Sequence, residues 1–129
     1  MKMCFHESSQ DIYIFRLIAD YGKIFVTFHE DTLICVIQTL KNWDNNSEAQ
    51  IISVATHPSF QRQGICFFTA KNMIDWLATH GINSIGIRIP QGHTAMLRIF
   101  KEKLGFNVVN EIKEYYGPNQ NRLYLRKDI

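Results

Sequence analysis

Residues 51–68 read IISVATHPSFQRQGICFF, and this stretch decides how the rest of the chain is interpreted. Its first part is rich in β-branched residues, which favour a strand, and Pro58 ends that strand because proline cannot continue a central ladder. A short polar loop follows, and a helix is predicted to begin at or just after Gly64. The stretch is therefore a strand, a loop and a helix in close succession.

The predicted start of this helix has the chemistry of an anion site. Backbone amides in a first helical turn lack internal partners and carry the positive end of the helix dipole. Gly64 has no side chain, so neighbouring amides can approach phosphate oxygens closely. Arg62 could add positive charge at the rim, and Gln61 could donate hydrogen bonds. The loop suits a pyrophosphate, but an ordinary strand–turn–helix has the same pattern, and these residues alone leave both interpretations open.

Two common nucleotide-binding loops do not fit this stretch. A Walker A loop requires Gly-Lys-Ser/Thr, and Gly64 is followed by Ile65 and Cys66 instead. A Rossmann fingerprint requires three glycines, and Gly64 stands alone. Both classes of site are disfavoured.

The segments on either side complete an α/β pattern. Periodicity and turn residues predict helix 9–21, strands 23–30 and 32–40, loop 42–47, strand 49–56, helix 65–80, strand 83–89, helix 94–104, and strands 106–115 and 122–126. A meander followed by two crossover helices predicts a mixed sheet of about six strands flanked by helices, in a single domain. The aromatic side chains predicted to lie in the core are Phe67, Phe68, Trp76 and Phe106.

Composition excludes several classes of protein. The 129 residues carry 14 Lys and Arg against 12 Asp and Glu, a net charge too small for a large nucleic-acid surface. Three cysteines, Cys4, Cys35 and Cys66, lack zinc-type spacing and predict neither a disulfide scaffold nor a metal site. The first residues lack the apolar run of a signal peptide, and no stretch is long enough to span a membrane. The sequence predicts a soluble, cytoplasmic protein without a membrane partner.

The sequence THPSFQRQGIC (residues 56–66) resembles the central motif of the GNAT acyltransferases, which holds the coenzyme A pyrophosphate. That motif is Gln or Arg, two residues, Gly, one residue, and Gly or Ala, and here Gln61, Gly64 and Cys66 fill the three positions. TAMLRIFKEKLGF (residues 94–106) is similar to the second segment of the family, a helix that ends in Lys-Leu-Gly-Phe. The element order also agrees from about Lys23 to the C-terminus.

The resemblance implies a splayed sheet and acetyl-CoA as cosubstrate. Residues 53–56 would separate from the strand at 85–89 and pair with the pantetheine arm, while a strand amide near residues 54–56 would polarise the acetyl oxygen. An amine would attack the thioester directly, without a covalent enzyme intermediate. The resemblance implies that the cofactor is bound by Val54, Ala55, Thr56, Gln61, Arg62, Gln63, Gly64, Ile65, Cys66, Thr94, Phe100 and Lys101.

The chain departs from the family where the leaving thiolate is usually protonated. Many members have a tyrosine four residues before the Gly-Phe, and this chain has Lys101 there, next to Phe100. Lys101 could supply the proton or could be a solvated helix lysine. With a thiol pKa of about 8.5, the thiolate could also leave without an acid. The family's asparagine at the start of this helix is replaced by His93 or Thr94.

Glu48 and Tyr116 are the candidate catalytic residues. Some family members use a carboxylate as general base near Glu48, which could otherwise be an exposed glutamate; His57 and a water-mediated route are alternatives. Tyr115-Tyr116 looks like the tyrosine pair of family members that acetylate protein N-termini. Those enzymes often carry a glutamate in the strand at 84–89, where this chain has Gly86.

These observations predict one N-acetyltransferase domain over residues 1–129, with a shortened N-terminal region at 1–22. The acceptor is expected to be a primary amine of a small molecule or a peptide. The alternatives are a protein or peptide N-terminal acetyltransferase, and a coenzyme-A-binding module with little catalysis. The short N-terminal region would leave an open cleft, or a homodimer would complete it.

Overall fold

The structure is a computed structural model that describes residues 9–115 and 117–129. The helices are α1 (Ser9–Tyr21), α2 (Ile65–Thr79) and α3 (Thr94–Leu97), which continues as a π-helical segment (Arg98–Lys103). The strands are β1 (Lys23–His29), β2 (Thr32–Asn42), β3 (Asn45–Thr56), β4 (Ser84–Pro90), β5 (Asn107–Ile112) and β6 (Arg122–Asp128). A short 3₁₀ turn, Pro58–Phe60, lies between β3 and α2.

The six strands form one mixed sheet in the order β1-β2-β3-β4-β6-β5. The pairs β1–β2, β2–β3, β4–β6 and β5–β6 are antiparallel, and β3–β4 is parallel. The parallel pair requires a crossover, which α2 supplies. This confirms the predicted α/β class and the sheet of six strands with flanking helices.

Helices cover both faces of the sheet. The larger core lies under α2 and the α3 segment, where the inward side chains of β2, β3, β4 and β6 meet one face of α2; its fully buried members include Cys35, Ile37, Ala70, Met73, Ile85, Ile89, Phe100 and Leu125. Alternate residues of β2 point to the opposite side, where Ile34 and Val36 are buried and α1 contacts β1 and β2 through the buried Ile18.

Two predictions about local structure were wrong. Residues 42–47 are not a loop: β2 and β3 continue to a tight turn at Trp43-Asp44, because the Asn42 and Asn45 side chains accept the amides of Asp44 and Ser47 and close the hairpin. The helix predicted over 94–104 changes to π geometry, with Leu104 donating to the carbonyl of Ile99.

Two of the aromatic residues predicted to lie in the core are not buried. Phe68 is 56% exposed because it lies on the outer side of α2, and Trp76 is 36% exposed because it lies at the flank of the helix. Trp76 instead packs edge-on against Phe25 and stacks on His80 at the surface. Phe106 is 1% exposed and packs against Phe100 in the core, as predicted.

The sheet splays between β3 and β4. Their ladder joins Glu48–Ile51 to Ser84–Ile87 and stops there, although both strands continue. Residues 53–56 remain paired to β2 on their other side, and the register with β2 shifts at Ile52. A gap therefore opens between the far ends of two central strands, as the resemblance implied. Among the described residues, no helix combines the length and apolar character needed to cross a membrane.

Gly22 is expected to be essential for stability at the junction of α1 and β1. A Cβ at this position would collide with the carbonyl oxygen of Thr39 and lie 2.8 Å from Leu40 Cδ2 and 3.0 Å from the carbonyl oxygen of Ile18. We expect Gly22→Ala to lower the free energy of unfolding by about 2–3 kcal/mol, measured by urea denaturation. Gly92→Ala is the control, because a Cβ there meets open space. Equal stability of the two variants would contradict this account of the junction.

Candidate functional site

The gap between β3 and β4 is an open groove of about 250 Å³. Polar and apolar atoms contribute about equally to its wall, and its polar side chains are Ser53, Arg88 and His93; the lining residues are Ile51, Ile52, Ser53, Val54, Ile87, Arg88, Ile89, Pro90, His93 and Met96. The edge of residues 52–56 that faces β4 has no ladder partner in β4. An extended ligand can therefore pair with this edge as an additional strand would.

The loop after β3 is held by its own side chains. His57 Nδ1 accepts the amide of Ser59 at 3.1 Å, which shapes the 3₁₀ turn at Pro58. Gln61 Nε2 donates to the carbonyl of Thr56 at 3.4 Å, and Gln63 Nε2 donates to the carbonyl of Ser59 at 3.3 Å. These bonds tie the loop back to the end of β3 and present the start of α2 beside the groove.

Gly64 forms the N-cap of α2 in the left-handed conformation, with φ 77° and ψ 8°. The first intrahelical bond runs from the Phe68 amide to the Gly64 carbonyl, and no side chain caps the amides before it. Arg62 also has a positive φ, and both residues are exposed. Alternating left-handed residues at a helix start turn several amides toward one point, which favours an anion. The first turn contains no acidic residue to oppose it.

Cys66 contributes only its backbone to this turn, because its side chain is buried against Cys35. Hydrogen bonds from Cys66, Thr69, Thr56 and the Val36 amide lower the pKa of the Cys35 thiol to about 6, although burial acts in the opposite direction. The hydrogen bond to Cys35 and burial raise the pKa of the Cys66 thiol. Cys66 therefore combines a free first-turn amide with a thiol that packs into the core.

The strand residues predicted to bind the cofactor lie along the gap. Val54 lines the groove, Ala55 is buried, and the Thr56 hydroxyl donates to Cys35 Sγ at 3.7 Å. Ile65 is half-buried and follows Gly64 at the helix start. The backbone of these residues, more than their side chains, is available to a ligand.

The residues on the α3 segment that were predicted to bind the cofactor differ in burial and in their distance from the groove. His93 lines the groove, and its Nδ1 accepts the Met96 amide at 3.4 Å as the N-cap of α3; Thr94 follows it and is exposed. Phe100 is fully buried, so its side chain supports the core beneath the groove. Lys101 is exposed and is not part of the groove lining.

Glu48 belongs to a polar cluster on the α1 side of the sheet. Its Oε1 accepts Gln50 Nε2 at 2.8 Å and the Tyr124 hydroxyl at 3.3 Å, and its Oε2 accepts Asn42 Nδ2 at 3.4 Å. Gln50 Nε2 also donates to the Tyr124 hydroxyl oxygen at 2.9 Å. Arg88 completes the cluster by donating from an Nη to Gln50 Oε1 at 3.3 Å. The carboxylate is half-buried and held from three sides.

Gly86 makes room for this cluster. A Cβ at Gly86 would collide with the Tyr124 hydroxyl and lie 2.7 Å and 2.8 Å from the Gln50 side-chain nitrogen and oxygen. Gln50 and Gly86 are register partners, one step before the last pair, Ile51 and Ile87. The cluster therefore lies beside the point where the groove opens.

The sequence analysis missed Gln50, Arg88 and Tyr124. They come from three strands, and no local motif joins them. The available signal was alternation, which puts Glu48 and Gln50 on one face of β3, and Gly86 and Arg88 on one face of β4. Tyr116, the other candidate catalytic residue, lies outside the described residues.

The chain matches relatives that acetylate amines. Ribosomal protein bS18-alanine N-acetyltransferase of Salmonella typhimurium is 30% identical over 73 residues, which are 57% of this chain and 49% of the relative. The protein of the same name from Haemophilus ducreyi is 29% identical over 82 residues, 60% of this chain and 56% of the relative. The chain thus spans about half the length of these relatives.

Solved structures of low sequence identity share the fold. Ard1 from Thermoplasma volcanium superposes with a TM-score of 0.82 at 18% identity, covering 98% of this chain and 83% of that one. A Bacillus subtilis acetyltransferase in complex with CoA gives 0.80 at 16% identity, with 99% and 98% covered. The Escherichia coli ribosomal-protein-S18-alanine N-acetyltransferase gives 0.78 at 20% identity, with 98% and 79% covered.

The family model described as acetyltransferase (GNAT) family matches residues 2–106. The match includes both motifs quoted above, the turn at Gly64 and the groove between β3 and β4. The chain belongs to the GNAT family of acetyltransferases.

Proposed function

We propose that this chain is an acetyl-CoA-dependent N-acetyltransferase that moves an acetyl group to a primary amine. The observation that carries the proposal is the end of the β3–β4 ladder at Ile51 and Ile87. It leaves a free strand edge that runs from a polar cluster to the amide-rich turn at Gly64. Family membership and relatives named as N-acetyltransferases support the same activity.

The described residues fit coenzyme A in two places. The turn from Gly64 to Cys66 offers amides that no side chain caps, with the positive charge of Arg62 beside them, to a pyrophosphate, without an opposing carboxylate in the first turn of α2. The edge of residues 52–55, which has no ladder partner in β4, offers backbone donors and acceptors to the amides of an extended pantetheine arm. When bound, acetyl-CoA supplies an acyl group activated as a thioester.

The chain's own residues would then polarise the acyl group and receive a proton. A free β3 amide near Val54 donates to the acyl oxygen as negative charge develops there. The amine nitrogen forms a bond to the acyl carbon, and the carbon–sulfur bond breaks with its electron pair going to the thiolate. Glu48 takes the proton released from the nitrogen, directly or through the Tyr124 hydroxyl. The thiolate needs no enzymatic acid, since a thiol pKa is about 8.5.

We also propose that residues 1–129 belong to one N-acetyltransferase domain. The homodimer that would complete the cleft, the cytoplasmic location and the exclusion of nucleic-acid and membrane partners stay predictions from the sequence. Equilibrium sedimentation with and without acetyl-CoA tests whether the homodimer forms.

Binding and turnover measurements test the activity. We expect calorimetry to detect acetyl-CoA binding, and we expect thiol release in the presence of a panel of small amines and peptides. Tight binding without turnover on a broad panel would support the coenzyme-A-binding module instead. Absence of binding would contradict both.

A peptide N-terminus is the second candidate for the acceptor. It is favoured by relatives named as acetylating the alanine of a ribosomal protein. It is also favoured by Tyr115, whose ring lies 5.3 Å from the Arg88 guanidinium beside the groove. Comparison of Nα-free peptides with Nα-blocked peptides that contain lysine distinguishes terminal from side-chain amines.

Tyr116→Ala tests whether the tyrosine pair contacts that peptide, as its sequence resemblance implies. We expect kcat/KM for peptide acceptors to fall about tenfold, with the acetyl-CoA dissociation constant unchanged. Tyr21→Ala is the control, because Tyr21 is 81% exposed on α1 and has no assigned role. An equal loss on peptides and simple alkylamines would count against a peptide contact.

A further inference from the structure

Arg88 is a half-buried cation with few of its hydrogen-bonding groups satisfied. Its Nε is buried and has no hydrogen-bond partner among the described residues, and one Nη donates to Gln50 Oε1 at 3.3 Å. The salt bridge within the described part of the chain joins Arg126 to Asp128, and no described carboxylate lies within ion-pair distance of Arg88. Arg88 also lines the groove between β3 and β4.

Two aromatic rings hold this guanidinium in place. Its Cζ lies 5.0 Å from the Tyr124 ring centroid and 5.3 Å from that of Tyr115. Tyr124 is the register partner of Arg88 on β6, and its hydroxyl is fixed by Gln50 and Glu48. Cation–π contacts stabilise the charge, and they leave the hydrogen-bonding capacity of the guanidinium unused.

Arg88 and Glu48 lie on opposite sides of Gln50. The side-chain oxygen of Gln50, Oε1, accepts from Arg88, and its side-chain nitrogen, Nε2, donates to Glu48. The site thus offers a positive group and a negative group, held apart by one neutral side chain, beside the start of the groove. An amine is attracted to the carboxylate, and a carboxylate forms its strongest side-chain pairing with a guanidinium.

We propose that Arg88 binds a carboxylate of the acceptor, so that the acceptor is an amine that also carries an acid group a few bonds away. This inference rests on the proposed acetyl transfer and deepens it. Free amino acids and peptides with an acidic residue next to the reacting N-terminus share this chemistry. Binding such a group would give a partner to the buried Nε of the half-buried guanidinium, which has none among the described residues.

Matched pairs of acceptors test the proposal. Alanine and alaninamide differ in one carboxylate, and so do peptides that begin Ala-Glu and Ala-Gln; the two pairs distinguish the two sources of the acid group. We expect wild-type kcat/KM to be at least about tenfold higher for the acidic member of one pair. Arg88→Gln should remove this preference, so that kcat/KM becomes equal for the acidic and the neutral member of the pair.

Two further variants separate recognition from structure. Arg88→Lys keeps the charge without the planar fork, so we expect it to retain part of the preference. Arg126→Gln is the control, because Arg126 lies on the same strand as Tyr124 but is exposed and paired with Asp128. It should keep the full preference.

Equal kcat/KM for both members of both pairs in the wild-type protein would overturn the proposal. So would an Arg88→Gln variant that loses the same factor on acidic and neutral acceptors, because that result indicates a structural role. If no amine is acetylated although acetyl-CoA binds, the proposed activity fails separately. Calorimetry of the same pairs with the CoA-loaded protein then decides whether Arg88 binds carboxylates: tighter binding of the acidic member supports it, and equal binding overturns it.

Discussion

Gly64→Glu is expected to raise the dissociation constant for acetyl-CoA by at least about 30-fold, which corresponds to about 2 kcal/mol. Gly64 caps α2 with a positive φ of 77°, and a Cβ built there meets nothing within 4 Å. The new side chain therefore fits sterically. Its carboxylate would compete for the first-turn amides and repel a pyrophosphate at the same place. Calorimetric titration with acetyl-CoA measures the change.

Gly81→Glu is the matched control for this substitution. Gly81 follows the other end of α2, has a φ of 84°, and also leaves open space around a built Cβ. Both variants therefore carry the same backbone strain, about 1 kcal/mol, and the same added charge. Gly64→Ala adds the strain without the charge, and we expect only a few-fold weaker binding. A folded Gly64→Glu protein that binds acetyl-CoA like Gly81→Glu would show that the pyrophosphate lies elsewhere.

The sequence was a sufficient guide to the fold where one local signal determined each element. The apolar face of α2, from Cys66 to Leu77, follows helical spacing and is buried as expected. The turn-forming residues at 42–47 led to the wrong prediction of a loop, because their side chains close a tight hairpin. The prediction that Phe68 is buried was wrong for another reason. A large apolar residue is buried only if its position on the helix faces the sheet, and Phe68 is on the outer side.

The two halves of the candidate site differ in how far they could be predicted. The anion-binding turn is local, since Gly64 needs only its neighbours in sequence to adopt the left-handed cap. The polar cluster depends on register between strands that are distant in sequence: Gln50 and Tyr124 meet over 74 residues. Alternation can assign a face to each strand residue, but it cannot specify which strands are neighbours. Arg88 and Tyr124 were therefore visible only in the assembled sheet.

Glu48→Gln is expected to lower kcat at pH 7 by about 100-fold, with little change in the acetyl-CoA dissociation constant. Glutamine keeps an oxygen that can accept from Gln50 Nε2 and the Tyr124 hydroxyl, so the packing of the cluster should be preserved. The variant loses only the ability to take a proton from the amine. The amine must then lose its proton to water, which becomes easier as pH approaches the amine's own pKa, about 8 for a peptide terminus. Activity of Glu48→Gln should therefore rise more steeply between pH 7 and about pH 9 than that of the wild type.

Two further variants serve as controls for this pH profile. Tyr124→Phe removes one partner of the carboxylate and leaves the base, so we expect a smaller loss, about tenfold, and a profile of wild-type shape. Glu111→Gln removes an exposed carboxylate on β5 that accepts from Gln91, and it should change neither kcat nor the profile. If Glu48→Gln keeps the wild-type kcat and pH profile, the amine proton goes to water or to another group, and Glu48 is not the base. If kcat of Glu48→Gln falls by the same factor at every pH, Glu48 positions the amine substrate instead. High pH compensates for a missing base, but it does not correct the position of a misplaced amine.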